Sequence, residues 1–281
     1  MRERFLFNRE LRLRLASAAI LIPAALVATF AGGVAYVAFV LLGSVLVLHE
    51  WLRMIGAGRL YHLHIACGLL LLLLAIAAYE LPLWLSVAAV LAAAAAATVA
   101  AWRDRSDIAA RWVFVGVAYL GLAIATLIGL RRGEDGFAAV AFVFLIAWAS
   151  DTGAFFVGRK LRGPKLWAKV SPSKTWSGAI GGLVSGVAAG ALVAAMIGAT
   201  VSAATLLVAA LLVVASQAGD LLESAAKRYF MIKDAGTLIP GHGGVMDRVD
   251  GIVAAIFLGA VLGVFSFSGL PATGLLHLIG R

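Results

Sequence analysis

Apolar residues in this chain fall in long runs separated by short polar interruptions, and the run lengths predict membrane-spanning helices. Crossing a bilayer as a helix takes roughly 20 predominantly apolar residues. Runs of that order lie near 14–31, 34–49, 64–79, 82–101, 113–130, 137–157, 178–198, 201–219 and 251–269. Helices are required because the hydrocarbon core has no water to satisfy a backbone N–H or C=O. The expected fold is an all-α integral membrane protein, a polytopic helical bundle of about nine transmembrane helices forming a single membrane domain over 1–281. Tight turns at Gly32-Gly33 and Glu80-Leu81-Pro82 make their flanking helices antiparallel neighbours. The seventh and eighth runs are rich in small residues, among them Gly181, Gly182, Ser185, Gly186 and Gly190, which favour close helix–helix contact.

Composition agrees. The chain is 63% hydrophobic with a mean hydropathy of +1.03, far above a soluble globular average. The single Cys67 sits in an apolar run, so no disulfide framework is expected, and it reads as a small buried hydrophobe. The Arg-rich start followed by a run from Leu15 reads as an uncleaved first span rather than a signal peptide, because the run is long and further spans follow.

The net charge of +9 changes the picture through its placement. No soluble domain carries a basic groove, so a nucleic-acid partner is not expected. The cations sit in loops, as membrane topology and anionic head groups use them. With the N-terminus in the cytoplasm, every Lys and Arg except Arg131, Arg132 and Arg281 falls inside. The polar segments near 103–111, 158–177 and 220–250 then face the cytoplasm, where water-soluble nucleotides are.

One polar segment stands out chemically. Between Ser224 and Gly251 the chain gathers Lys227, Arg228, Lys233, Asp234, His242, Gly243, Gly244, Asp247, Arg248 and Asp250, with Asp220 and Glu223 just upstream. Cations suit phosphates, carboxylates suit a divalent metal, and glycines let backbone N–H groups approach an anion. The pattern calls for a metal–nucleotide or metal–phosphate substrate. Asp220 ends the eighth run and Asp247 precedes the ninth, so both are expected at one membrane surface sharing a cation. A carboxylate at a helix C-terminus opposes the dipole, which makes Asp220 a metal ligand rather than a cap. Asp250, just before Gly251-Ile252, reads equally as the cap of the ninth helix. Asp151, inside the sixth run, is either a functional intramembrane acid or the partner of a loop cation such as Lys160. In the loop 158–177, Arg162, Lys165 and Lys169 read as topology charges. Ser171-Pro172-Ser173-Lys174-Thr175 reads as a proline-set turn built to contact phosphate. His242 is open between general base, phosphate donor and loop hydrogen-bonder.

These residues carry a resemblance. Ser224-x-x-Lys227-Arg228-x4-Lys233-Asp234-x-Gly236, then Pro240-x-His242-Gly243-Gly244-x-x-Asp247-Arg248-x-Asp250, is similar to the signature of phosphatidate cytidylyltransferases, also called CDP-diacylglycerol synthases. Asp151 to Arg159 and Ser171 to Thr175 resemble two upstream blocks of that family. Ala226, Phe155 and Ser177 depart from its usual residues. The resemblance implies N-terminal spans over 1–135 and a catalytic half over 136–281, with the signature at 220–251. It implies that CMP passes from CTP to phosphatidic acid, giving CDP-diacylglycerol and pyrophosphate at the cytoplasmic face of the cell membrane. Asp220 and Asp247 would hold Mg2+. Lys227, Arg228, His242 and Asp151 would join them in catalysis. Ser171, Ser173, Lys174, Thr175, Ser224, Lys233, Asp234, Gly243, Gly244, Arg248 and Asp250 would contact substrate. A homodimer is compatible with it.

Two other readings remain in view. A transporter would place its charges near the midplane on broken helices, whereas here they gather at one face. A CTP-using kinase of polyprenyl phosphates would transfer the γ-phosphate instead of cleaving at the α-phosphorus.

Overall fold

The computed structural model describes residue 17 and residues 19–103, 107–239, 243–266 and 269–281. His242 lies outside the described residues. Ten helices occur among them, and eight are long and apolar enough to cross a membrane. The first expected span appears as the shorter apolar helix α1 (Ala19–Ala31).

The chain divides into two compact units. The first runs to Ile124 and takes in Phe230–Val249; the second comprises Ala125–Tyr229 and Asp250–Arg281. In the first unit, α2 (Gly33–Met54) packs on α3 (Tyr61–Glu80), and α3 on α4 (Leu83–Arg103), as the tight turns require. Gly32 and Gly33 take φ of 63° and 50°, left-handed values that glycine adopts without strain. The fifth helix, α5 (Asp107–Arg131), meets the end of α2 through Trp51. The indole of Trp51 donates to the Trp112 carbonyl at 2.8 Å and fills the space left by Gly116.

The second unit is built on α6 (Gly136–Leu161), which packs along α7 (Trp176–Met196); α8 (Ala203–Tyr229) packs on both. Its core joins Phe142, Val143, Ile146, Val193, Leu212, Val213, Ile256 and Leu275. Lipid is as apolar as these side chains, so burial alone does not hold the helices together; close packing must. Small residues allow it. A Cβ at Gly178 would come 3.0 Å from the Ala154 carbonyl, and one at Gly182 2.9 Å from that of Ser150. Exposed Val184, Leu207 and Val214 present the lipid-compatible outside.

Three expectations about the elements change. Ser171–Thr175 is not a turn but β2, the longer strand of a hairpin with β1 (Lys165–Trp167), paired Lys165 to Thr175 and Trp167 to Ser171. Pro172 is tolerated because a two-stranded ribbon leaves every strand an edge. The eighth helix does not end near 219 but runs on to Tyr229. The added turns contain good helix formers and the i,i+4 pair Glu223–Lys227, and Lys227 and Arg228 complement the helix C-terminus. The last long helix, α9 (Met246–Ser266), starts before the apolar run at 251. Asp250 is therefore inside it and caps nothing. A short α10 (Pro271–Leu278) follows.

Candidate active site

In the second unit the site grows from helix lengths. With 27 residues, α8 exceeds the 21-residue α7 by enough to project about 9 Å beyond it. Asp220, Glu223, Ser224 and Lys227 lie at i, i+3, i+4 and i+7 and so share one face of α8. Backbone contact brings α9 to that face. A Cβ at Gly219 would meet the Asp250 carbonyl at 2.8 Å, and one at Gly251 would meet the Ser216 hydroxyl at 2.7 Å. As a result Asp220, Glu223 and Asp250 each offer a carboxylate oxygen within 4.8 Å of the others.

Cations balance this acid group. Lys174 on β2 forms an ion pair with Asp220 Oδ2, and Lys227 Nζ lies 2.7 Å from Glu223 Oε2. The Ser224 hydroxyl faces Asp220 Oδ1 at 3.5 Å. Glu223 is buried, so its charge requires compensation in place. The hairpin is held where Lys174 needs it. Thr175 Oγ1 caps α7 by accepting the Gly178 amide at 3.1 Å, and Arg228 Nε donates to the Val170 carbonyl at 3.3 Å. Beneath them, Gln217 donates to the Ala179 carbonyl at 3.1 Å, linking α8 to α7.

The other described signature residues, Lys233, Asp234, Gly236, Gly243, Gly244, Asp247 and Arg248, lie in the first unit. Asp247, in the first turn of α9, accepts the Ala235 amide at 3.1 Å and the Gly244 amide at 2.9 Å on Oδ2. Gly243 has a φ of 81° and bridges to Ile239. Glu50, reaching from α2, accepts the amides of Val245 and Met246 at 2.9 and 2.8 Å. Lys233, Asp234 and Arg248 are exposed.

The expected residues thus separate by role. Lys174, Asp220, Ser224, Lys227 and Asp250 come together in the second unit. Ser171 and Thr175 are buried, and the Thr175 hydroxyl is occupied as a cap, while Ser173 is exposed. Arg228 is tied to the hairpin. Asp151 lies exposed on α6, outside the three-carboxylate group. Asp220 is mid-helix, which removes the dipole argument made for it. Asp247 stands in the other unit, engaged by loop amides. The sequence reading missed Glu223 as a member of the acid group, although its i+3 spacing from Asp220 was available. It also missed Glu50, the one acid of the long, largely apolar α2, a kind of residue that signals function by default.

Hard carboxylate oxygens in a set of three are the donor chemistry that Mg2+ takes. The three carboxylates therefore fit a divalent cation.

Comparison with known proteins meets this geometry. A model of the cytidylyltransferase family matches residues 12–265. The phosphatidate cytidylyltransferase of Brucella suis biovar 1 (strain 1330) is 37% identical over 273 residues, covering 94% of this chain and 97% of that protein. The protein of the same name from Brucella abortus biovar 1 (strain 9-941) is 38% identical over 258 residues, 89% of this chain and 92% of its own. That of Bacillus subtilis (strain 168) is 34% identical over 158 residues, 55% and 59% of the two chains. The match to the family model across most of the chain, and relatives aligned nearly end to end, establish that the chain belongs to the cytidylyltransferase family.

Proposed function

We propose that the chain is a CTP:phosphatidate cytidylyltransferase, a membrane nucleotidyltransferase of phospholipid biosynthesis. The observation that carries this reading is the mixed-charge group of Asp220, Glu223, Asp250, Lys174 and Lys227 on the extended end of α8. A phosphate oxygen of phosphatidate attacks the α-phosphorus of CTP. The bond from that phosphorus to the bridging oxygen of the β-phosphate breaks, and pyrophosphate leaves with the electron pair. Both substrates are anions, so charge neutralisation and alignment are the main tasks. The attacking phosphate is already ionised and needs no strong general base, which makes His242 a positioning residue in this reading.

Asp220, Glu223 and Asp250 are the residues to hold Mg2+, which supplies charge neutralisation on the phosphates when bound. Asp247 of the signature keeps lone-pair sites for a cation beside its two amide donors, since a carboxylate offers about four. Lys174 and Lys227 are compact ammonium groups beside the acids and suit phosphate oxygens as point charges. The Gly243-Gly244 backbone can approach an anion closely. The N-terminus and this site are assigned to the cytoplasmic side of the cell membrane, supported by the Lys/Arg asymmetry of the loops. A homodimer is compatible with this reading and not required by it.

The test uses purified full-length protein with phosphatidate vesicles and CTP labelled at either the α- or the γ-phosphate. The α-label should enter lipid, chelation should stop it, and added Mg2+ should restore it. Entry of the γ-label would assign a kinase instead, and transfer unaffected by chelation would remove the metal.

A further inference from the structure

Glu50 is 1% exposed, yet it is an acid on an apolar helix, remote in sequence from every signature residue. Its two carboxylate oxygens are both used. Oε1 accepts the Val245 amide at 2.9 Å and Oε2 the Met246 amide at 2.8 Å, across 195 and 196 residues of chain. These amides open α9, where N–H groups lack intrahelical partners and the helix dipole favours an anion. Val245, the residue before the helix, has no side-chain acceptor, so α2 supplies the cap that local sequence does not.

The loop is shaped around this carboxylate. A Cβ at Gly236 would lie 2.5 Å from Glu50 Oε1, and one at Gly244 would lie 2.7 Å from Oε2. A side chain held by two hydrogen bonds cannot swing aside for either without giving them up. Asp247 clasps the same loop through the Ala235 and Gly244 amides. Glu50 and Asp247 together therefore pin the backbone of Ala235–Gly236 and Gly243–Asp247.

We infer that Glu50 is a positioning residue of the reaction: a tertiary cap that holds the segment 243–247, from which Asp247 projects and which Arg248 directly follows, without itself touching substrate. This rests on the cytidylyl-transfer reading above.

The experiment compares full-length Glu50→Ala, Glu50→Gln, Gly236→Ala and the Gly236→Ala/Glu50→Ala double variant. Val47→Ala, 2% exposed on the same helix, serves as the packing control. Two quantities are read on folded protein: amide exchange over 243–247, and kcat and KM for CTP. Glu50→Ala should speed exchange and lower kcat/KM, each by about tenfold or more, because two buried charge-assisted hydrogen bonds are lost. Glu50→Gln should fall between, since its amide keeps one acceptor and turns an NH2 toward the other N–H. Gly236→Ala should resemble Glu50→Ala, and the double variant should be no worse, because both remove one contact. Val47→Ala should lower Tm and leave kcat/KM within about twofold.

Unchanged kcat/KM in Glu50→Ala, losses that track Tm equally in Glu50→Ala and Val47→Ala, or additive losses in the double variant would overturn the inference. If Glu50→Ala does not fold, Glu50→Gln and Gly236→Ala carry the same comparison. If the unaltered protein transfers no CMP, the functional reading fails, while amide exchange still reads the clamp.

Discussion

Asp220 and Lys174 form the contact that most directly joins the hairpin to α8, and single substitutions there separate electrostatic work from structure. Asp220→Ala should lower turnover by roughly three orders of magnitude, as expected when charge stabilisation at a phosphoryl centre is lost. Steady-state transfer of α-labelled CMP measures this, and near-normal turnover with Mg2+ present would remove Asp220 from the site. Lys174→Ala should reduce kcat/KM by about 30-fold or more if its ammonium meets substrate phosphate. Lys165 and Lys169 carry the same charge in the same hairpin region, but both are exposed and face no acid of the group. Their alanine variants should cost no more than about fivefold, acting only through a screened surface field. Equal small losses at all three lysines would mean that the loop works as a diffuse field.

At the scale of elements, the site depends on how closely α9 approaches α8. Gly219 and Gly251 leave no room for a side chain at that crossing. Gly251→Val should push the helices apart and cost about 1–3 kcal/mol of stability by overpacking. It should also lower activity per folded molecule by more than Gly198→Ala, which in the α7–α8 loop meets nothing within 4 Å and costs only the strain of a φ of 76°. Thermal melts in detergent paired with transfer assays separate the two effects. Activity that merely tracks Tm would show that Asp250 does not need its place beside Asp220. Thr175→Ala removes the cap of α7 and should cost about 1 kcal/mol, read as a lower Tm.

Over the whole molecule, the open quantity is orientation. In the second unit, Arg281 pairs with Asp135 at 3.4 Å at the start of α6, while the acid–lysine group is built with the hairpin that follows its end. A helix of 26 residues spans about 39 Å, enough to separate the two across a bilayer. Lys169→Cys, in the hairpin region, should therefore react with an impermeant thiol reagent only from the cytoplasmic side, and Glu134→Cys only from the other. Native Cys67 is buried and should stay silent. Labelling of both from one side would overturn the topology.

Hydrophobic run lengths were sufficient to read a polytopic helical bundle, because the bilayer imposes a span length that composition cannot hide. The sequence also singles out Asp220, Lys227 and Asp250 in or beside the signature and Lys174 in the Ser171–Thr175 block, since charges held in greasy surroundings need a chemical reason, and the structure brings these four together. Three matters were not readable along the chain. Hydropathy marked where α8 ceases to be apolar, not where it ceases to be helical, so Asp220 was set at an end it does not occupy. Proline and hydroxyls in Ser171–Thr175 suit a turn locally, and pairing with Lys165–Trp167 made a strand of them. Above all, the company of each acid was set by contacts between distant segments. Glycine crossings brought Asp250 to Glu223, and Glu50 met the start of α9 across 196 residues of chain. Local pattern records what a residue is able to bind; three-dimensional packing chooses which of its possible partners is within reach.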